Sequence, residues 1–331
     1  MLTNTQRSPL AAAQTSMWYY EKLYPGTPAY HYTIVFDLEN PKVDQLRTAI
    51  EALALRHEAL QCRVVEMRGQ AYLEPLSAAT STSSSWPLQI FELRTESPPP
   101  VEDLMETLES IQAAAFITKG FLFDQEPLWR CALLAFSENK YQFVMVAHHI
   151  IVDVTSMNIL MRDLSEIYNA LLENRPPSLT ALPSLYQLKL ASCNHEAKLA
   201  LWKERLSGLT PLVIKTDFMP QSDFRYHSDR FNFKISRDQV QALSALAEAQ
   251  QVSLHRLFLA SLYILLHRYT GCTDICIGTT SANRRNYSEK VEEVVSSFIN
   301  SIPLRVSIEG KLRFDEFLEK LSLICIEAYE N

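Results

Sequence analysis

Two adjacent histidines and an aspartate close behind them, in His148-His149-Ile150-Ile151-Val152-Asp153, are the residues of this sequence best suited to chemistry. Imidazole exchanges protons near neutral pH, so a histidine can serve as general base or can orient a nucleophile. An apolar, β-branched stretch over 141–147 leads into the pair, and a helical pattern follows Asp153. Strand, turn and helix would hold the imidazoles in a loop on a rigid scaffold, where catalytic groups often sit. Thr155 or Ser156 is the expected N-cap of the helix. Its apolar face carries Met157, Leu160, Met161, Leu164, Ile167 and Tyr168.

Other chemistries fit less well. A metal centre needs three or four ligands, and no further His, Cys, Asp or Glu stands at useful local spacing, so no metal is expected. There is no G-x-S-x-G elbow, no P-loop and no G-x-G-x-x-G loop. From these residues alone, two ordinary loop histidines beside an acidic helix cap account for the pattern as well as a catalytic site does.

The surrounding elements read as a mixture of strands and helices. Strands are expected at 30–38, 59–65, 71–73, 88–93, 128–136, 141–147, 229–235, 274–278 and 301–308. Helices are expected at 11–24, 44–56, 101–117, after Asp153, 184–206, 237–251, 253–269 and from Phe314. The Ser/Thr-rich run 77–85 reads as an exposed loop. Three prolines in Asn174–Pro183 mark a change of domain, giving an N-terminal lobe over 1–175 and a C-terminal lobe over 176–331. Both lobes are expected to be α/β.

Bulk properties narrow the partners. The 331 residues carry a formal net charge of -7, which argues against nucleic acid or an anionic membrane as the main partner. The longest apolar run, 257–266, is too short to cross a bilayer, and the N-terminus has no signal-peptide core. Six scattered cysteines form no CxxC pair and are expected as reduced thiols in the cytoplasm.

Beyond composition, the sequence resembles a family. His148 to Asp153 resembles the HHxxxDG motif of the condensation domains of nonribosomal peptide synthetases. Ala13-Gln14 with Met17-Trp18 resembles the opening motif of that family, and Arg56-His57-Glu58-Ala59-Leu60 resembles its RHExLR stretch. Pro127-Leu128-Trp129-Arg130, Leu201-Trp202-Lys203, Asp274-Ile275-Cys276-Ile277-Gly278, Asn283-Arg284 and Phe298-Ile299-Asn300 continue the likeness in order.

The resemblance implies two chloramphenicol-acetyltransferase-like lobes in a V with a central tunnel. It implies an acyltransferase that joins a donor acyl or aminoacyl thioester to an acceptor amine, each carried on the phosphopantetheine of a carrier protein. No cofactor is bound by the domain itself. Partners implied are donor and acceptor carrier proteins and a downstream adenylation domain. Ester-forming or coenzyme A-dependent transfer, epimerisation, and a catalytically silent docking platform for carriers are the alternatives. His149 takes the catalytic role, as proton acceptor or as the group that orients the amine. His148 supports the loop. Asp153 is structural and pairs with an arginine.

Departures from the motifs shape further expectations. Val154 stands where the family has glycine and would narrow the approach of the donor arm. Gln61 replaces the arginine of RHExLR, and Arg63, two residues on, is expected to take over as partner of Asp153. Ser156 keeps the usual serine, Ser296 replaces a glycine, and Asn300 closes the last motif. The chain stops at Asn331 before the family's final motifs, so the second lobe is expected to be incomplete and covered by a partner. Met1 precedes the first motif directly, which suggests a starter position or a freestanding enzyme.

Overall fold

The computed structural model describes residues 7–76, 88–93, 111–188, 195–218, 231, 233–287 and 291–330. The expected loop 77–85 and the first part of the expected helix 101–117 lie outside these residues. The chain divides into two compact units, Met1–Ala191 with Ala282–Asn300, and Ser192–Ser281 with Ser301–Asn331. The expected boundary after residue 175 is therefore displaced, and the second half returns a segment to the first unit. One cause is visible at the end of the linker. The Glu58 carboxylate accepts hydrogen bonds from Ser184 Oγ at 2.9 Å and from Leu185 N at 2.6 Å, which keeps 184–185 on the first unit.

In the first unit, strands β1 (Ser8–Pro9), β3 (Cys62–Met67) and β4 (Gln70–Pro75) form a small sheet in the order β1-β4-β3. Strands β2 (His31–Glu39), β5 (Leu88–Glu92), β6 (Trp129–Ala135) and β7 (Lys140–His148) form the main sheet, in the order β2-β7-β6-β5. Strand β7 is central and antiparallel to both neighbours. Its residues from Gln142 to His148 are all buried, so it reads as a continuous apolar run rather than an alternating one.

Among the described residues, four helices belong to this unit: α1 (Ala12–Leu23), α2 (Val43–Arg56), α3 (Ile111–Thr118) and α4 (Val154–Leu172). In α2 the residues Leu46, Ala49, Ile50 and Leu53 repeat at helical spacing and are buried. They share one core with Met157, Leu160, Leu164 and Ile167 of α4 and with the main-sheet residues Leu133, Val144 and Val146. Full burial of a Leu or Ile side chain contributes roughly 1.5–3 kcal/mol, so this core is what holds β7 and its terminal histidines in place.

The second unit contains α5 (His195–Arg205), α6 (Arg237–Ala249), α7 (Leu254–Thr270) and α8 (Phe314–Glu330), with strands β8 (Asp274–Ser281) and β9 (Asn300–Ser307) paired. Helix α7 starts at Ser253, whose Oγ accepts from Arg256 N, and ends at Gly271 in the left-handed conformation with φ 74°. Arg305 of β9 pairs with Asp274 of β8 at 2.6 Å and donates to the carbonyls of Arg205, the last residue of α5, and of Ser207 beyond it. Of the expected strand 229–235, the described residues form no strand; the remainder lies outside them. The expected helix 184–206 is represented by a 3-10 turn at Leu185–Gln187 and by α5. No described helix is long and apolar enough to cross a membrane.

Candidate active site

Strand β7 delivers the histidine pair, and two backbone bonds fix where it ends. His148 N donates to Leu128 O at 2.8 Å and His149 N donates to Tyr30 O at 2.8 Å. The chain then turns, with Ile151 N donating to His148 O at 3.0 Å. Ile150, Ile151 and Val152 are wholly buried, so the loop is anchored by its own apolar residues. A second anchor is Gln14, a buried side chain of α1. Its Nε2 donates to Ile150 O at 2.7 Å, and its Oε1 accepts from Ala11 N at 2.9 Å. One amide side chain thus ties the start of α1 to the histidine loop.

The two imidazoles have different surroundings. His148 is 1% exposed and lies edge-on to Phe123, with ring centroids 4.8 Å apart, and near Phe121 and His31. Burial lowers its pKa to about 3, with smaller contributions from His31 and His149. It is neutral at physiological pH. Its Nδ1 accepts from Ile150 N at 3.0 Å, which places the ring proton on Nε2. His148 thus spends its acceptor on the loop backbone and its ring on packing.

His149 is half-buried, and its Nδ1 lies 2.7 Å from Val152 O. A carbonyl oxygen can only accept, so Nδ1 carries the proton and Nε2 keeps a free lone pair. Nε2 makes no hydrogen bond among the described residues. The Tyr32 ring stands edge-to-face with this imidazole, centroids 6.1 Å apart and planes at 84°. The result is an oriented imidazole whose Nε2 is available as an acceptor. If Nε2 takes a proton, the Nδ1–H bond to Val152 O strengthens against the imidazolium charge.

Both oxygens of Asp153 are taken up by hydrogen bonds to the scaffold. It is 1% exposed and is the N-cap of α4: its Oδ1 accepts from Ser156 N at 2.7 Å. The cap thus falls before the expected Thr155 or Ser156. Oδ1 also accepts from Arg284 Nη2 at 3.0 Å, and Oδ2 accepts from Phe298 N at 3.2 Å. Arg284 in turn donates through Nη1 to the carbonyls of Val291 and Val294, at 2.6 and 2.7 Å, and its guanidinium lies 4.4 Å from the Phe298 ring centroid.

The partner of Asp153 is therefore Arg284, and the expectation for Arg63 is corrected. Arg63 Nη2 pairs with Glu74 Oε1 at 2.8 Å, and its Nη1 donates to Asp124 O. Alternation would put Gln61 and Arg63 on one face only if both lay in one strand. Gln61 belongs instead to the 3-10 turn Glu58–Gln61, and β3 begins at Cys62. Within β3 the buried residues are Cys62 and Val64, so Arg63 faces its register partner Glu74 across the small sheet.

Ser156 is wholly buried. Its hydroxyl donates to Ser296 O at 2.6 Å and accepts from Ser296 N and Arg284 Nη2. It is a clasp between α4 and the 291–298 segment, with no surface to offer a substrate. Val154, the first residue of α4, is 56% exposed beside the histidine loop. Asn300 is exposed at the start of β9. The Arg56-His57-Glu58 stretch is also structural: Arg56 Nε and His57 Nε2 bond the buried Asp163 carboxylate at 2.8 and 3.1 Å. These partners and Arg162 hold the Asp163 carboxyl well below the ordinary range, against a burial effect that would raise it.

This arrangement has counterparts among known proteins. A family model for the condensation domain matches residues 4–331. The chain belongs to that family. A linear gramicidin synthase polypeptide of Brevibacillus parabrevis is 28% identical over 340 residues, covering 100% of this chain and 6% of that protein. The dimodular nonribosomal peptide synthase of Bacillus subtilis (strain 168) is 28% identical over 341 residues, covering 98% of this chain and 14% of that protein. The condensation domain described here thus spans a small part of these relatives' length.

Among solved structures, the first condensation domain of the CDA synthetase has a TM-score of 0.75 at 20% identity, over 98% of this chain and 75% of that one. The X-domain from teicoplanin biosynthesis has a TM-score of 0.78 at 22% identity, over 100% of this chain and 72% of that one. At these identities the likeness is one of fold, the mixed α/β, chloramphenicol-acetyltransferase-like fold of condensation domains.

Proposed function

We propose that this condensation domain forms an amide between a donor acyl or aminoacyl thioester and an acceptor amine, both presented on carrier-protein phosphopantetheine. The observation that carries the proposal is the His149 bond to Val152 O, which leaves Nε2 as an oriented acceptor on an anchored loop. The acceptor nitrogen attacks the thioester carbonyl, the C–N bond forms and the C–S bond breaks. His149 Nε2 takes the proton from nitrogen and returns it to the departing thiolate. Holding both thioesters together makes the step effectively unimolecular, which supplies much of the rate. Kinship with peptide synthases supports carrier proteins as partners and an adenylation domain as neighbour. The five described cysteines are free thiols, which suits the cytoplasm.

The test offers carrier-loaded donor and acceptor to the wild type and to His149→Ala. Product from the wild type that disappears in the variant supports the reading; equal background in both sinks it. Parallel arms with a coenzyme A thioester as donor, or a hydroxyl acceptor, decide between amide formation and the related transfers.

Val154 favours a second reading. A branched side chain stands exposed beside the histidine loop where the family motif has glycine. The teicoplanin X-domain, similar in fold, is known in a complex with OxyB. On this reading the chain is a docking platform. Carrier binding without turnover, unaffected by His149→Ala, is its signature.

A further inference from the structure

We propose that Tyr32 is a positioning residue that holds the His149 imidazole in the orientation its bond to Val152 requires. Its consequence for turnover rests on the proton-transfer reading of His149; its structural content does not. A histidine ring rotates about a broad terminal torsion. The Val152 carbonyl fixes one atom of the His149 ring, Nδ1, and a contact at one atom leaves the tilt of the plane open. The Tyr32 ring closes that freedom. Its centroid is 6.1 Å from that of His149 and the planes meet at 84°, the edge-to-face arrangement that aromatic rings favour.

The placement of Tyr32 is itself rigid. It lies on β2, paired in register with Ala147 of β7, immediately before the histidines. Two residues earlier, Tyr30 O receives His149 N. One short stretch of chain at the start of β2 therefore sets both the backbone and the side chain of His149. The Tyr32 hydroxyl makes no hydrogen bond among the described residues, so the ring and not the phenol is the active part.

The experiment uses the protein labelled with nitrogen-15 in its histidines, with the His149 resonances assigned by their loss in His149→Gln. The wild type is expected to show a protonated Nδ1 and an unprotonated Nε2 at His149. In Tyr32→Leu the two shifts are expected to move towards a tautomer average. kcat with carrier-loaded substrates is expected to fall on the order of tenfold with KM little changed. Tyr32→Phe is expected to keep both the wild-type shifts and the wild-type kcat. Wild-type shifts in Tyr32→Leu overturn the proposal, and so does a Tyr32→Phe variant that loses them. Should His149→Gln leave turnover intact, the proton-transfer reading fails, while the nitrogen shifts still decide the role of Tyr32.

Discussion

Asp153 and Arg284 meet at 3.0 Å with both side chains almost fully buried, at 2% and 9% exposure. Each is the largest commitment of the other: the carboxylate caps α4, and the guanidinium gathers the carbonyls of Val291 and Val294. Removing one partner strands a buried charge. Asp153→Ala and Arg284→Ala are each expected to lower stability by about 3–5 kcal/mol, and the double variant by less than their sum. Urea denaturation at neutral pH measures all three. Arg63→Ala, which breaks a partly exposed pair with Glu74, is expected to cost about 1 kcal/mol or less and to show no coupling to Asp153.

Acid should weaken the fold through His148. Its folded pKa is about 3, against about 6.5 unfolded. Between these values the unfolded chain binds a proton that the folded chain refuses, so stability falls as pH drops below 6.5 and is unaffected above it. One such group gives a slope approaching 1.4 kcal/mol per pH unit, as an order of magnitude. His31, lowered to about 4 chiefly by burial, acts in the same direction. Urea midpoints at pH 7 and pH 5 test this, in a range above the carboxylate titrations. His148→Asn keeps an acceptor for Ile150 N and is expected to flatten the dependence.

Gln14→Leu preserves the buried volume of α1 but leaves Ile150 O without its donor. The expected loss is about 1–3 kcal/mol, read by thermal or urea denaturation. Turnover is expected to fall further than that stability loss explains, because the histidine loop loses its tie to α1. Turnover measured well below the melting transition separates the two effects.

Val154→Gly is expected to leave stability within about 1 kcal/mol, since the side chain is exposed at the first turn of α4. On the enzyme reading it widens the range of donor thioesters accepted. A panel of carrier-bound donors of increasing bulk, compared in wild type and variant, measures this.

How much of this was legible in the sequence depends on the distance over which each relation acts. The run from Tyr141 to Ala147 and the helical face of Met157 to Tyr168 are local patterns, and both elements appear where their patterns placed them. Residue type and position after a strand place both imidazoles in a loop; only the family resemblance singles out His149 for chemistry. What failed were relations between remote or irregular segments. Arg284 lies 131 residues from Asp153, and no periodicity connects them. Strand alternation does not link Gln61 to Arg63, because Gln61 lies in a 3-10 turn. Thr155 and Ser156 are ordinary N-cap types, but Asp153 before them serves as the cap with a charged acceptor. The Gln14 bond to Ile150 spans 136 residues and left no mark beyond a short motif.

The return of Ala282–Asn300 to the first unit bears on how the protein is made. Asp153, Ser156 and α4 are synthesised long before Arg284, Ser296 and Phe298, which complete their hydrogen bonds. Until those residues clear the ribosome, the first unit has an unpaired carboxylate and an open clasp beside its histidines. Translation pauses within residues 173–298 therefore extend the time the nascent chain spends without this closure.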